Sequence, residues 1–124
     1  MYIKSYKELI VWQKSMQLVK EVFLATDKFP KSEMYGLISQ MRRCSVSIPS
    51  NIAEGYGRKS KKEYSQFYSI AYGSTLELET QLIISKELAF VDIKDFQRIN
   101  SLLEEVAKML NFMTSKMREL DPRR

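Results

Sequence analysis

Gln40, Arg43, Ser47, Asn51 and Glu54 recur at spacings of 3, 4, 4 and 3. On a helix that rhythm puts all five on one face. A guanidinium, two amides, a hydroxyl and a carboxylate in a row could hold a small ligand or move a proton. The same set suits a hydrogen-bonded network at a subunit contact, because the arginine fork matches carboxylates and carbonyls. The network is the favoured reading, since ionic groups of this kind are common in purely structural clusters. A second constellation follows directly. Arg58-Lys59-Ser60-Lys61-Lys62 places four cations within five residues. Phosphate would satisfy the loop cations and the free N–H groups of a helix start together. A solvated basic loop fits equally well. Tyr56, Tyr64, Tyr68 and Tyr72 lie near it. Aromatic rings beside cations can stack on unpaired bases. Yet the last three recur every four residues, which favours packing or interface burial.

Other chemistry has little to work with. The chain contains no histidine, so the commonest general base and metal ligand is missing and the usual serine and cysteine triads cannot form. Cys44 is the only cysteine, which precludes an intramolecular disulfide and suggests a reducing cytoplasm. Met34, Met41, Met109, Met113 and Met117 fall on apolar seams, where packing explains them. Glu77 and Glu79 can pair with Arg42 or Arg43, but they lack the Glu-x-x-His spacing of di-iron bundles. No catalytic residue, cofactor or metal is therefore expected.

Helices must position these groups. Ser5-Tyr6-Lys7-Glu8 reads as a capping box, followed by Leu9, Trp12, Met16, Val19 and Phe23 on one apolar face. Lys7, Lys14, Glu21 and Lys28 fall opposite. Phe29-Pro30 ends this helix. Ser32 can cap a second helix with the stripe Met34, Leu37, Met41, Cys44 and Ile48. Pro49 predicts a kink, and Gly55-Tyr56-Gly57 a left-handed glycine cap. Ser60-Lys61-Lys62-Glu63 opens a third helix carrying Tyr64, Phe67, Ala71, Leu78 and Leu82. Asp92 caps a fourth helix, whose seam of Ile99, Leu103, Val106, Leu110, Met113, Met117 and Leu120 alternates steps of 4 and 3. The predicted helices cover about 5–26, 32–54, 61–89 and 93–120. Short connections between them imply antiparallel neighbours, hence an all-α, up-down-up-down four-helix bundle.

Composition supports that reading. The 124 residues, 44% of them hydrophobic, suffice for one domain with one core spanning 1–124. With 4 Gly and 3 Pro, few turns can form. No run is long enough to span a membrane, and the N-terminus MYIKSYKELI predicts no secretory signal. The net charge of +5 falls within residues 1–60, which hold ten Lys and Arg against five Asp and Glu. Residues 61–124 hold ten of each. A one-sided positive field suits an anionic partner such as nucleic acid. Residues 44–53 and 64–76 carry no charge at all, which marks the second and third helices as covered on more than one side. Gly73-Ser74, in the middle of the third, would let another backbone come close.

Several of these residues also carry a family resemblance. Trp12-Gln13-Lys14, Phe29-Pro30, Tyr35-Gly36-Leu37, Gln40-Met41-Arg42-Arg43, Ser47-Ile48, Asn51-Ile52-Ala53-Glu54-Gly55 and Gly73-Ser74 resemble the four helix bundle proteins encoded in intervening sequences of bacterial large-subunit ribosomal RNA genes. The fold is similar to that of the accessory protein of diversity-generating retroelements. The resemblance covers about residues 5–120. It implies a bundle that assembles into a ring, typically a homopentamer. For the retroelement relative it implies a basic ring that binds nucleic acid and a reverse transcriptase. The expectation is thus a non-enzymatic, ring-forming bundle whose partners are copies of itself, RNA or DNA, or a nucleic-acid-bound protein. Arg58, Lys59, Lys61 and Lys62 are the candidate nucleic-acid contacts. Gln40, Arg43, Ser47, Asn51, Glu54 and Gly73 are the candidate assembly residues. The alternative is a purely structural, protein-only interaction module.

Overall fold

The apolar stripes fold into four helices, α1 (Ile10–Thr26), α2 (Leu37–Tyr56), α3 (Lys61–Glu87) and α4 (Ile93–Glu119). This computed structural model describes residues 4–119. No strand occurs among the described residues. Each helix packs on its sequence neighbours, and α4 closes back on α1. The result is an all-α antiparallel bundle. Its centre is formed by Leu18 and Val22 from α1, Met41, Ile48 and Ile52 from α2, Leu78 and Leu82 from α3, and Ile99, Leu103, Val106 and Leu110 from α4. The part of the α4 seam among these residues is the one its heptad rhythm predicts. Leu120 and the Arg123-Arg124 tail lie outside the described residues.

On α1 the buried face is shifted by one position along the helix from the expected one. Val11, Ser15, Leu18, Val22 and Ala25 face the core, whereas Met16 and Phe23 are exposed. The helix carries two adjacent stripes, and the one with the larger side chains is not the inner one. Small Ser15 and Ala25 let neighbouring helices approach. The charges expected on the far side in fact line the α1–α4 boundary. Lys14 pairs with Glu105 at 2.9 Å, Glu21 lies 3.7 Å from Arg98, and Lys28 meets Asp95 at 3.0 Å. The residue numbers rise on one helix as they fall on the other, as antiparallel packing requires.

The helix ends show further differences. Ser5 caps a single 3-10 turn, Tyr6–Glu8, and extended Leu9 separates that turn from α1. Ser32 likewise sits in a 3-10 turn, Lys31–Glu33, and α2 begins only at Leu37, whose N–H donates to the Glu33 carboxylate at 3.4 Å. The second helix runs through buried Pro49 to Tyr56. Gly57 then stays right-handed, with φ −77°, so no left-handed glycine ends it. The left-handed residue is Ala89, φ 60°, after α3. There the Phe90 N–H donates to the Ser85 carbonyl at 2.9 Å and the Ala89 N–H to that of Lys86 at 3.0 Å. This is the helix-ending pair of bonds that normally uses glycine. Ser60 and Asp92 cap α3 and α4 as their sequences predict, accepting from the N–H groups of Glu63 at 3.1 Å and Asp95 at 2.8 Å.

Candidate nucleic-acid interface and assembly face

The α2–α3 seam is held tight locally by a glycine. A Cβ on Gly55 would lie 2.9 Å from Cε1 of Tyr68 and 3.0 Å from Cβ of Phe67. Only glycine lets these two helices meet there. Further along, the Ser47 and Ser74 hydroxyls bond to each other at 2.9 Å, and the Cys44 thiol donates to the Ser74 carbonyl at 3.1 Å. Asn51 donates its amide to the Ser47 carbonyl and hydroxyl at 2.8 and 3.1 Å. Burial, reinforced by Glu77, pushes the Cys44 thiol up to about 12. It therefore stays protonated and is a poor nucleophile.

The five-residue stripe is consequently not one network within the protomer. Ser47 and Asn51 belong to the seam. Glu54 accepts from Arg58 at 2.8 Å on the surface. Gln40 and Arg43 line an open cleft of about 470 Å³ with Tyr35, Ser39 and Glu77, and Ser47 reaches the same cleft from the seam. Neither the Gln40 nor the Arg43 side chain has a hydrogen bond or ion pair among the described residues. Glu77 accepts from the Gln81 side-chain amide at 3.4 Å, and the Gln81 side-chain oxygen, Oε1, is buried with no partner among the described residues. Arg42 turns away from this cleft and from both Glu77 and Glu79. It donates to the Thr26 hydroxyl at 3.0 Å, stacks over Phe23 at 4.8 Å and lies 3.7 Å from Asp27. Adjacent helix positions point roughly 100° apart, which gives Arg42 and Arg43 different neighbours.

The basic turn joins α2 to α3, with Arg58, Lys59, Lys61 and Lys62 all exposed. Arg58 is tied down twice, by Glu54 and by the Phe67 ring at 4.7 Å. The three lysines form no ion pair among the described residues. Tyr68 is buried, and Tyr64 and Tyr72 pack against the core, so this ladder serves packing and does not provide a stacking platform. Gly73 faces outward: a Cβ added there would meet nothing within 4 Å. It brings no backbone close within the protomer. Exposed Ile70, Leu76 and Ile83 share the outer surface of α3 with it. Gly55, which the sequence marks as part of a helix-ending Gly55-Tyr56-Gly57 cap, is instead buried inside α2.

No group of metal-ligating residues occurs among the described residues, and no described helix is long and apolar enough to cross a membrane. The fold and site together define a four-helix bundle with an exposed basic turn between α2 and α3. The chain belongs to the family of 23S rRNA-intervening sequence proteins, whose profile matches residues 7–112. It is similar in fold to a crystal structure of a protein of unknown function from the S23 ribosomal protein family of Bacteroides thetaiotaomicron, with a TM-score of 0.77 and 22% identity. That match covers 86% of this chain and 96% of the other. The comparison with curated proteins yields no match.

Proposed function

We propose that this protein is a non-enzymatic, self-assembling bundle that presents its α2–α3 turn to nucleic acid. The observation that carries the reading is the turn itself: Lys59, Lys61 and Lys62 are exposed and without ion pairs among the described residues, beside the stretch of α3 from 64 to 76 that carries no charge. Self-association through α2 and α3 would cover Ile70, Gly73, Leu76 and Ile83 and bring a partner group to Arg43. It would also multiply the turn around a ring, so that several weak patches act together. The family's name makes RNA the first ligand to test.

The test is binding of single-stranded RNA across a salt series. Affinity should fall steeply with salt, with a log–log slope of about −0.7 per phosphate neutralised. Replacing Arg58, Lys59, Lys61 and Lys62 together by Gln should leave the melting temperature unchanged, abolish most binding and flatten the slope. Unchanged binding by that variant would overturn the assignment of the turn. No binding by the natural sequence at low salt would favour the protein-only module, whose support is the α3 face alone. For assembly, Arg43→Ala should alter protomer stability by no more than about 0.5 kcal/mol yet reduce particle mass in light scattering.

A further inference from the structure

On the other side of the bundle, α1 and α4 leave an apolar groove of about 460 Å³ lined by Leu9, Ile10, Met109, Phe112 and Met113, with Lys108 at its rim. Phe112 is 69% exposed and Ile10 62%. Exposed apolar patches of this kind mark contact surfaces. The groove is formed by helices other than those of the α2–α3 face. The charges that flank it along α4 are ordered. Glu104 and Glu105 precede it, Lys108 borders it, and Lys116 follows; all four are exposed. Two α4 helices laid antiparallel about a two-fold axis near residue 110 would set Lys116 of one copy against Glu104 and Glu105 of the other. They would also set Lys108 against the Phe112 ring. Each contact occurs twice, as an isologous interface demands. An axis at residue 112 would instead oppose Lys108 and Lys116, and an axis at residue 108 would press Phe112 on Glu104. Among the described residues of the protomer, Glu104 accepts the Asn100 amide at 3.1 Å, and Glu105 pairs with Lys14 at 2.9 Å. Both carboxylates keep lone pairs for a second donor.

We propose that the α1–α4 groove is a self-association surface on which a second copy of this chain docks through antiparallel α4 helices. Patch and charge order both point to a copy: the flanking charges complement themselves under two-fold rotation. A surface of uniformly positive rim would have pointed to a lipid membrane.

Light scattering and sedimentation of the full chain test this. Phe112→Asp should halve the particle mass while leaving the helical signal and melting temperature intact, since the ring is exposed. Lys116→Glu should weaken the contact about tenfold, and Lys116→Glu with Glu104→Lys should restore it, because the swap reverses both charges. Gly73→Glu, aimed at the α3 face, should leave dimers. Dimers of Gly73→Glu that Phe112→Asp converts to monomers would support the contact whether or not a ring exists. Monomeric Gly73→Glu, an unchanged mass for Phe112→Asp, failure of the charge swap to restore mass, or binding of the natural sequence to anionic vesicles through Phe112 would each overturn it.

Discussion

The α1–α4 and α2–α3 boundaries join neighbouring antiparallel helices, but they do so with opposite chemistry. Along α1–α4, long charged side chains span the boundary: Lys14 to Glu105, Arg98 to Glu21, and Lys28 to Asp95. Along α2–α3, the contact relies on small residues. Gly55 admits the Tyr68 ring. Ser85 sends its hydroxyl back to the Gln81 carbonyl of its own helix at 2.8 Å, within 3.3 Å of the Met41 sulfur across the seam. A hydroxyl satisfied in this way behaves as a small spacer and adds no unsatisfied group to the core. A polar residue in a bundle can therefore either reach across a boundary or fold back and let the boundary narrow. The first use tolerates change, whereas the second does not.

The most damaging substitution should be in the narrow seam. Gly55→Val is expected to lower stability by about 3 kcal/mol through overpacking against Tyr68 and Phe67, measured by urea unfolding. A loss under about 1 kcal/mol, the low end for overpacking, would mean that the seam can open. The strongest single effect across the other boundary should come from Asp95, which is 6% exposed and bonded to Lys28 and Arg98. Asp95→Ala should cost about 1–3 kcal/mol. The hydrogen bond from Lys28 holds the Asp95 carboxyl below its ordinary range. A carboxylate with a depressed folded pKa stabilises fully above its unfolded value, and that contribution fades as pH falls through the folded one. The melting temperature should thus hold from neutrality to about pH 5 and drop below about pH 4. Asp95→Asn should flatten part of that drop, and an unchanged acid limb would show that Asp95 does not cause it.

Smaller effects run the other way. Ala89→Gly should stabilise by about 1 kcal/mol, because a Cβ in the left-handed region is strained. Gly73→Ala should raise protomer stability by about 0.5–1 kcal/mol, the reverse of Gly55, since nothing lies near its added methyl. A simultaneous loss of particle mass would show that the space belongs to a neighbour. Lys14→Ala, at a half-exposed pair, should shift stability by under about 1 kcal/mol.

Much of this architecture was legible in the residue order. The seam of α4, the caps at Ser60 and Asp92, the end of α1 before Pro30 and the short connections are local signals. Local backbone and hydrogen-bonding rules connect them directly to helices and to an antiparallel bundle. The basic turn was visible too, because cation density is a property of composition. The stripe of Gln40, Arg43, Ser47, Asn51 and Glu54 was legible as a helix face but not as a set of contacts. Whether such a residue reaches a neighbour depends on how far the next helix stands from it.

By itself, the sequence determined four helices, their order and most of their inward faces, because a helix buries whichever stripe is apolar. Only the tertiary structure decided which of two adjacent stripes on α1 turns inward, that Lys14, Glu21 and Lys28 line a boundary, and that Gly55, not Gly73, brings two backbones together. It also assigned the left-handed cap to Ala89. Those outcomes depend on distances between helices, and side-chain volume sets such distances only when all four are packed at once.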